Sequence, residues 1–342
     1  MRTDRSTYRN IIISRTDSIG DVVLTLPMAA SIKAKYPDCQ VSFLGRKYTQ
    51  PIVEQCRSVD KFIDWDSVVE LEPKEQGEAI RSVEADVIIH VFPVKEIAEL
   101  AKEASIPLRV GTSHRLYHLT TCNKLINLGR KNSDLHEAQL NIKLLKPLGI
   151  ETDLEKDSIS DLYNLKEPEI ETSYIRELID SSRFNLILHP KSKGSAREWG
   201  LENYSKLIET LSVDKFKIFV TGTAEEGEML KGLMDQHNYI TDLTGKLSLA
   251  ELISFINLAD GLVAASTGPL HISSALGKYA MGIYSPMRPI HPGRWAPIGK
   301  NATFFVSEDA CEDCRKMDSC ACMIGISPDV VTEYLLSIAS AK

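Results

Sequence analysis

Gly261-Leu262-Val263-Ala264-Ala265-Ser266-Thr267-Gly268-Pro269-Leu270-His271 joins an apolar strand to a helix across two hydroxyls and a bare glycine. Residues 261–265 read as a buried strand and 270–276 as a helix. Gly268 leaves the backbone open, and Pro269 suits the first helical position, where its missing N–H costs nothing. Free amides and the helix dipole at such a start favour a phosphate. Ser266, Thr267 and Gly268 are therefore expected to contact one. His271 falls in the first turn, where it can donate to a phosphate oxygen or simply be satisfied locally.

The same strand–loop–helix grammar precedes this stretch. Residues 185–189 (NLILH) form a strand, then Lys191-Ser192-Lys193-Gly194-Ser195-Ala196-Arg197-Glu198-Trp199 leads to a helix over 201–211. Ser192, Lys193 and Arg197 around a glycine make an anion site. A solvated basic loop is the alternative. It is not a P-loop, since Gly-x4-Gly-Lys-Ser/Thr is absent. After a strand at 216–221, Glu225 opens a helix over 224–236, either to cap it or to accept from ribose hydroxyls. A short strand at 240–242 follows. Thr244-Gly245-Lys246-Leu247 then precedes a helix over 249–258 and can floor a base pocket. A strand at 280–284 closes the run, and 328–339 reads as one more helix.

The first half repeats the alternation. Strands are expected at 10–14, 41–44, 61–65, 86–92 and 108–111, with helices at 22–35, 50–57, 94–104 and 136–147. Acidic, polar sequence over 150–171 is the linker. Alternating strands and helices imply parallel sheets covered on both faces, so the fold class is α/β with two Rossmann-like lobes facing a central cleft. Domains are expected at 1–165 and 172–326, with a terminal helix in 327–342 packing back toward the first lobe.

The first strand runs into Thr16-Asp17-Ser18-Ile19-Gly20-Asp21. Asp21 in the first helical turn either caps the helix or acts as a general base, with Gly20 letting an acceptor hydroxyl approach. Residues 105–133 hold no Asp or Glu, yet include Arg109, His114, Arg115, His118, Lys124, Arg130 and Lys131. That suits a phosphorylated or carboxylated acceptor or an anionic membrane face; an ordinary solvated surface reads equally well.

Composition narrows the class. With 342 residues, 43% hydrophobic and 25% charged, the chain reads as a globular protein of about two domains. A formal charge of -7 argues against a nucleic-acid binder. No apolar run approaches the ~18–20 residues of a membrane span, and the start has no secretion signal, so a cytoplasmic location is expected. Seven cysteines fit that location. Cys311, Cys314, Cys320 and Cys322 are expected to form a compact loop of reduced thiols, with zinc or disulfides as alternatives.

These pieces resemble the bacterial heptosyltransferase family (glycosyltransferase family 9), which transfers ADP-activated heptose onto the lipopolysaccharide core. The matching residues are Ser18-Ile19-Gly20-Asp21-Val22 with Thr25-Leu26-Pro27, Leu188-His189-Pro190 leading to Arg197-Glu198-Trp199, residues 243–249, and Ser266 to His271. The cysteine-containing tail is similar as well. The resemblance implies the two-Rossmann-lobe glycosyltransferase type B fold. It also implies an inverting transfer with Asp21 as base. On the residues themselves, acceptor contacts are expected at Ser18, Gly20 and Arg115, and no metal is expected, since the chain has no DxD-like aspartate pair in a suitable loop. Arg197 would neutralise the donor phosphates, Glu225 would meet the ribose, and Leu247 would line the base pocket. Thr267, Gly268 and His271 would meet the diphosphate and sugar. The implied partners are a nucleotide-sugar donor, ADP-heptose foremost, and an anionic glycolipid acceptor, with peripheral contact at the inner membrane and no nucleic acid. Two positions depart from the family: Arg197 replaces a lysine, and Ser266 replaces an aspartate that faces the sugar. A two-lobed receptor for a phosphorylated sugar is the rival from the binding class. A nicotinamide dehydrogenase is disfavoured because no Gly-x-Gly-x-x-Gly follows the first strand.

Overall fold

The computed structural model describes residues 8–130, 133–168, 173–308 and 320–340. The chain divides into two compact units, Met1–Lys166 and Glu167–Lys342. The boundary falls inside the acidic stretch anticipated as the linker. That stretch is more structured than its composition suggests. It carries a helix at Lys156–Ser160, and Cys56 and Leu165 form an antiparallel bridge.

The first unit holds one parallel sheet of six strands: β1 (Asn10–Ser14), β2 (Gln40–Gly45), β3 (Lys61–Asp64), β4 (Val87–His90), β5 (Leu108–Thr112) and β6 (Lys124–Ile126), in the order β3-β2-β1-β4-β5-β6. The second unit repeats the plan with β7 (Phe184–His189), β8 (Phe216–Val220), β9 (Thr241–Asp242), β10 (Gly261–Ala265), β11 (Tyr279–Tyr284) and β12 (Ala302–Val306), in the order β12-β11-β10-β7-β8-β9. Each is the Rossmann order, in which the chain reverses its direction of travel between the first and fourth strands of the sheet. The central strands carry continuous apolar runs because helices cover both faces. Ile11, Ile12 and Ile13 are fully buried, as are Leu186, Ile187 and Leu188.

Local chemistry explains where elements depart from the sequence reading. The helix expected over 22–35 is two, Ile19–Val23 and Pro27–Lys35. Pro27 has no N–H to continue the first, so a turn intervenes. Two helices that the apolar pattern did not reveal, Trp65–Val69 and Pro73–Arg81, start on acidic caps: Asp64 accepts from the amides of Asp66 and Ser67. Edge strands β6 and β12 are short and half-exposed, and so lack a buried run to read. The strand expected at 280–284 is thus not the last of its sheet.

The terminal helix, Pro328–Ala339, places Val331 and Leu335 in the core of the second unit with Trp199, Tyr204 and Leu207. Thr210 and Thr332 share a hydrogen bond of 2.9 Å. These contacts lie within the second unit.

Candidate active site

In the first unit, β1 delivers the chain to a loop built around one buried cation. Arg15 is 3% exposed and binds three carboxylates. Its Nε donates to Asp17 Oδ1 at 2.6 Å, one Nη donates to Asp21, and the other reaches Glu137 Oε1 at 3.3 Å. Against burial, which favours the neutral form, Asp21, Asp17 and Glu137 hold the guanidinium above its ordinary range. Glu137 is itself buried, paired to Arg130, and stands in the first turn of the helix Glu137–Lys143. Arg130 Nη2 also donates to the carbonyl of Val91, directly beyond β4. The network therefore crosses the point where the strand order reverses.

Asp21 lies in the first turn of Ile19–Val23 and does not cap it. Its carboxylate takes the Arg15 donation on one oxygen and that of Ser18 Oγ, at 2.5 Å, on the other. Ser18, expected at the acceptor, is thus bonded to Asp21 in this structure. Gly20 is buried within the helix turn rather than open to a ligand. Burial pushes the Asp17 carboxyl up to about 6, opposed by Arg15 and reinforced by Asp21. Arg15, Asp17 and Glu137 were not singled out from the sequence. The available signal was a cation placed directly after an apolar strand, where burial demands counter-charges.

The basic stretch after β5 separates by role. Arg109 donates to the carbonyls of Thr121 and Ile106, His118 is buried against Thr112, and Arg130 serves Glu137. Arg115, expected at the acceptor, is exposed, as are His114 and Lys124. Lys131 lies outside the described residues.

In the second unit, His189 at the end of β7 is the register partner of Ala264 in β10. The basic loop after β7 and the helix start after β10 therefore leave the sheet from adjacent strands, at its reversal point. Sequence alone had these loops 70 residues apart. Lys191 is occupied by Glu198 at 2.5 Å. Ser192 is buried and donates to Ala196 O at 3.0 Å, so its hydroxyl shapes the loop. Lys193 stands exposed at φ +48°, followed by Gly194 at φ +77°. Arg197 is half-buried near the end of the loop. Trp199 anchors the loop, donating from Nε1 to Ile326 O at 2.9 Å.

The helix after β10 begins at Gly268, so Pro269 takes its second position rather than its first. Thr267 is the N-cap, but its side chain accepts no capping bond, and its buried Oγ1 has no partner among the described residues. Backbone amides and a buried hydroxyl are thus left for an acceptor of hydrogen bonds. His271 is buried one turn in. Ser266 is half-buried, and the Tyr284 hydroxyl on the neighbouring strand donates to Trp295 O.

Two neighbouring glutamates divide the roles that the sequence left open for one. Glu226 closes a capping box with Thr223, its carboxylate accepting from Thr223 N at 2.7 Å. Glu225 is exposed, with no hydrogen bond or ion pair among the described residues, and so is available to a ligand. Gly245 sits at φ +68°, and a Cβ there would lie 2.9 Å from the Ala224 backbone. This close approach packs the turn before Leu247 onto the start of the Glu225 helix. Leu247 is half-buried. Among the described residues, no group of three or more His, Cys, Asp or Glu could hold a metal ion.

The pattern of glycosyltransferase family 9 (heptosyltransferase) matches residues 75–323. The chain belongs to this family. It is a glycosyltransferase. Lipooligosaccharide heptosyltransferase 2 of Haemophilus influenzae is 22% identical over 350 residues, covering 95% of this chain and 98% of the relative. Among solved structures, a family 9 glycosyltransferase from Veillonella parvula matches with a TM-score of 0.78 at 18% identity, covering 98% of both chains. An E. coli heptosyltransferase solved with ADP matches with a TM-score of 0.71 at 18% identity, covering 96% of this chain and 99% of that one. The likeness establishes the type B glycosyltransferase fold.

The matched segment takes in every residue expected at the donor, whereas Asp21 precedes it. Cys320 and Cys322 are buried, with sulfurs 3.2 Å apart. Cys311 and Cys314, which completed the expected cysteine loop, lie outside the described residues. No helix among the described residues is long and apolar enough to cross a membrane.

Proposed function

We propose that this enzyme transfers a sugar from a nucleoside-diphosphate donor, ADP-heptose foremost, to a hydroxyl of an anionic glycolipid of the lipopolysaccharide-core type. One observation carries the reading. Lys193, Arg197 and the open helix start at Gly268 leave adjacent strands of the second sheet, a natural seat for a diphosphate. The relative named as a lipooligosaccharide heptosyltransferase and the E. coli enzyme solved with ADP support the choice of donor and acceptor.

In the proposed step, the acceptor oxygen attacks the anomeric carbon while its proton passes to Asp21. The bond from that carbon to the diphosphate oxygen breaks, and the diphosphate leaves with the electron pair. Lys193, Arg197 and the helix amides meet the leaving charge. Asp21 serves as base, with Arg15 and Ser18 holding its carboxylate in place. The displacement inverts the anomeric centre. Glu225 accepts from the ribose hydroxyls and Leu247 lines the base.

Ser266 favours a second reading of the sugar, because a hydroxyl stands where the family carries an aspartate. A different nucleotide sugar is then the donor. Thermal shift of the purified chain against a panel of nucleotide sugars tests both. Stabilisation by ADP-heptose alone supports the first, and a stronger response to another sugar replaces it. A nucleotide released only when donor and acceptor are both present distinguishes transfer from mere binding.

A further inference from the structure

The turn following β5 displays apolar side chains where solvent would ordinarily select polar ones. Leu116 is 84% exposed, more than any other large apolar side chain among the described residues, and Leu119 is 58% exposed. Three residues apart on one helical turn, they present a shared apolar edge. Their exposure does not come from a loose loop. The amides of His118 and Leu119 bond to Arg115 O at 3.0 Å and Leu116 O at 3.1 Å. From beneath, His118 is fully buried, with Nδ1 3.1 Å from the Thr112 amide. Gly111 makes room for this ring, since a Cβ there would meet Nδ1 at 2.7 Å. Arg109 ties Thr121 O to Ile106 O across the base of the turn. The two leucines are thus held outward by a pinned scaffold.

The charge around them has one sign along the chain. His114, Arg115 and Lys124 are exposed, and residues 105–133 contain no carboxylate. Glu96, on a neighbouring helix, is an acidic group that acts on Tyr117 in this turn. The patch occurs in a chain whose net charge is -7, so it is a local exception to the overall balance. Exposed leucines flanked by basic side chains match a surface of anionic headgroups over acyl chains.

We propose that the turn spanning residues 113–120 docks the enzyme on an anionic lipid bilayer, inserting Leu116 and Leu119 while Arg115, His114 and Lys124 meet the headgroups. This deepens the glycolipid reading of the acceptor, on which its biological purpose rests. The docking itself needs no catalysis to be measured.

The test is cosedimentation of the full-length protein with vesicles of phosphatidylcholine alone or mixed with phosphatidylglycerol. The wild type should bind the mixed vesicles and lose most of that binding in high salt. Leu116→Ser/Leu119→Ser should bind them at least tenfold more weakly, with an unchanged melting temperature because both side chains already face solvent. Transfer to a water-soluble acceptor lacking acyl chains should be the same in both proteins. Absence of wild-type binding to mixed vesicles overturns the proposal. So does equal binding by the double variant, or a self-associated species that the variant disrupts without any vesicle binding. If the wild type binds vesicles but no glycolipid or acyl-free acceptor is glycosylated, the proposed function fails while the docking surface stands.

Discussion

His189 and Ala264 face one another across β7 and β10. The chain leaves these strands into the basic loop and the Gly268 helix start respectively. Side-by-side exits of this kind concentrate backbone amides, a cation and a helix dipole at the carboxyl end of the central strands, which is how a Rossmann sheet gathers a phosphate site.

At that end of the sheet, the two lysines should contribute unequally. Lys191 is bound to Glu198, whereas Lys193 is exposed. Lys193→Ala should weaken ADP binding by about 1.5–3 kcal/mol, the range of a charge-assisted hydrogen bond. Lys191→Ala should weaken it much less. Calorimetric titration with ADP decides, and the reverse ranking would remove Lys193 from the diphosphate site.

Asp21→Asn should retain ADP affinity and lower turnover by about 10²–10⁴-fold, the ordinary contribution of a general base. Single-turnover rates measured beside ADP binding make the comparison. Near-normal turnover would move the base elsewhere.

Arg15 and Glu137 should behave as a positioning pair. Glu137→Gln removes a buried partner of Arg15 and Arg130, and breaking such a pair costs about 3–5 kcal/mol. Denaturant unfolding should show that loss. Turnover should fall as well, because Arg15 re-aims when one of its three carboxylates is gone. An unaltered stability and rate would mean the network is dispensable.

Glu225 and Glu226 should separate binding from folding. Glu226→Ala removes the capping-box acceptor for Thr223 N and should cost about 0.5–1.5 kcal/mol in stability. Glu225→Gln should leave the melting temperature alone and raise the KM for donor several-fold.

Acid should find His90. Burial pushes this histidine down to about 3, with His118 adding to the effect, so it is neutral in the folded protein. In the unfolded chain it protonates near its ordinary 6.5. Stability from this group is therefore complete above about pH 6.5. Between pH 6.5 and 3 it is lost at ~1.4 kcal/mol per pH unit. Its two ring nitrogens have no partner among the described residues, so His90→Leu removes a buried polar group without orphaning another. The variant should show a shallower decline of melting temperature with acid, and parallel curves would contradict the assignment.

Much of this protein was legible in one dimension. Strands β1 and β10 and the helix Pro328–Ala339 fall on the bounds expected from apolar runs and flanking prolines, because a strand buried on both faces must be apolar throughout. The edge strands β6 and β12 escaped because half-exposed residues carry no such constraint. The loops after β7 and β10 stood out as candidate anion sites from glycine, proline and basic residues alone, since those residue types are selected locally by backbone conformation and charge. Their adjacency was not. It follows from strand order, which depends on pairings between residues some 70 positions apart. Likewise, the sequence named Asp21 but could not supply Arg15 and Glu137 as its setting. Glu137 lies 122 residues from Arg15, and only a folded core with nowhere else to place three carboxylates and a guanidinium brings them together. The choice of Glu226 over Glu225 as the cap was decided the same way, by which of two neighbouring carboxylates the helix start turns inward.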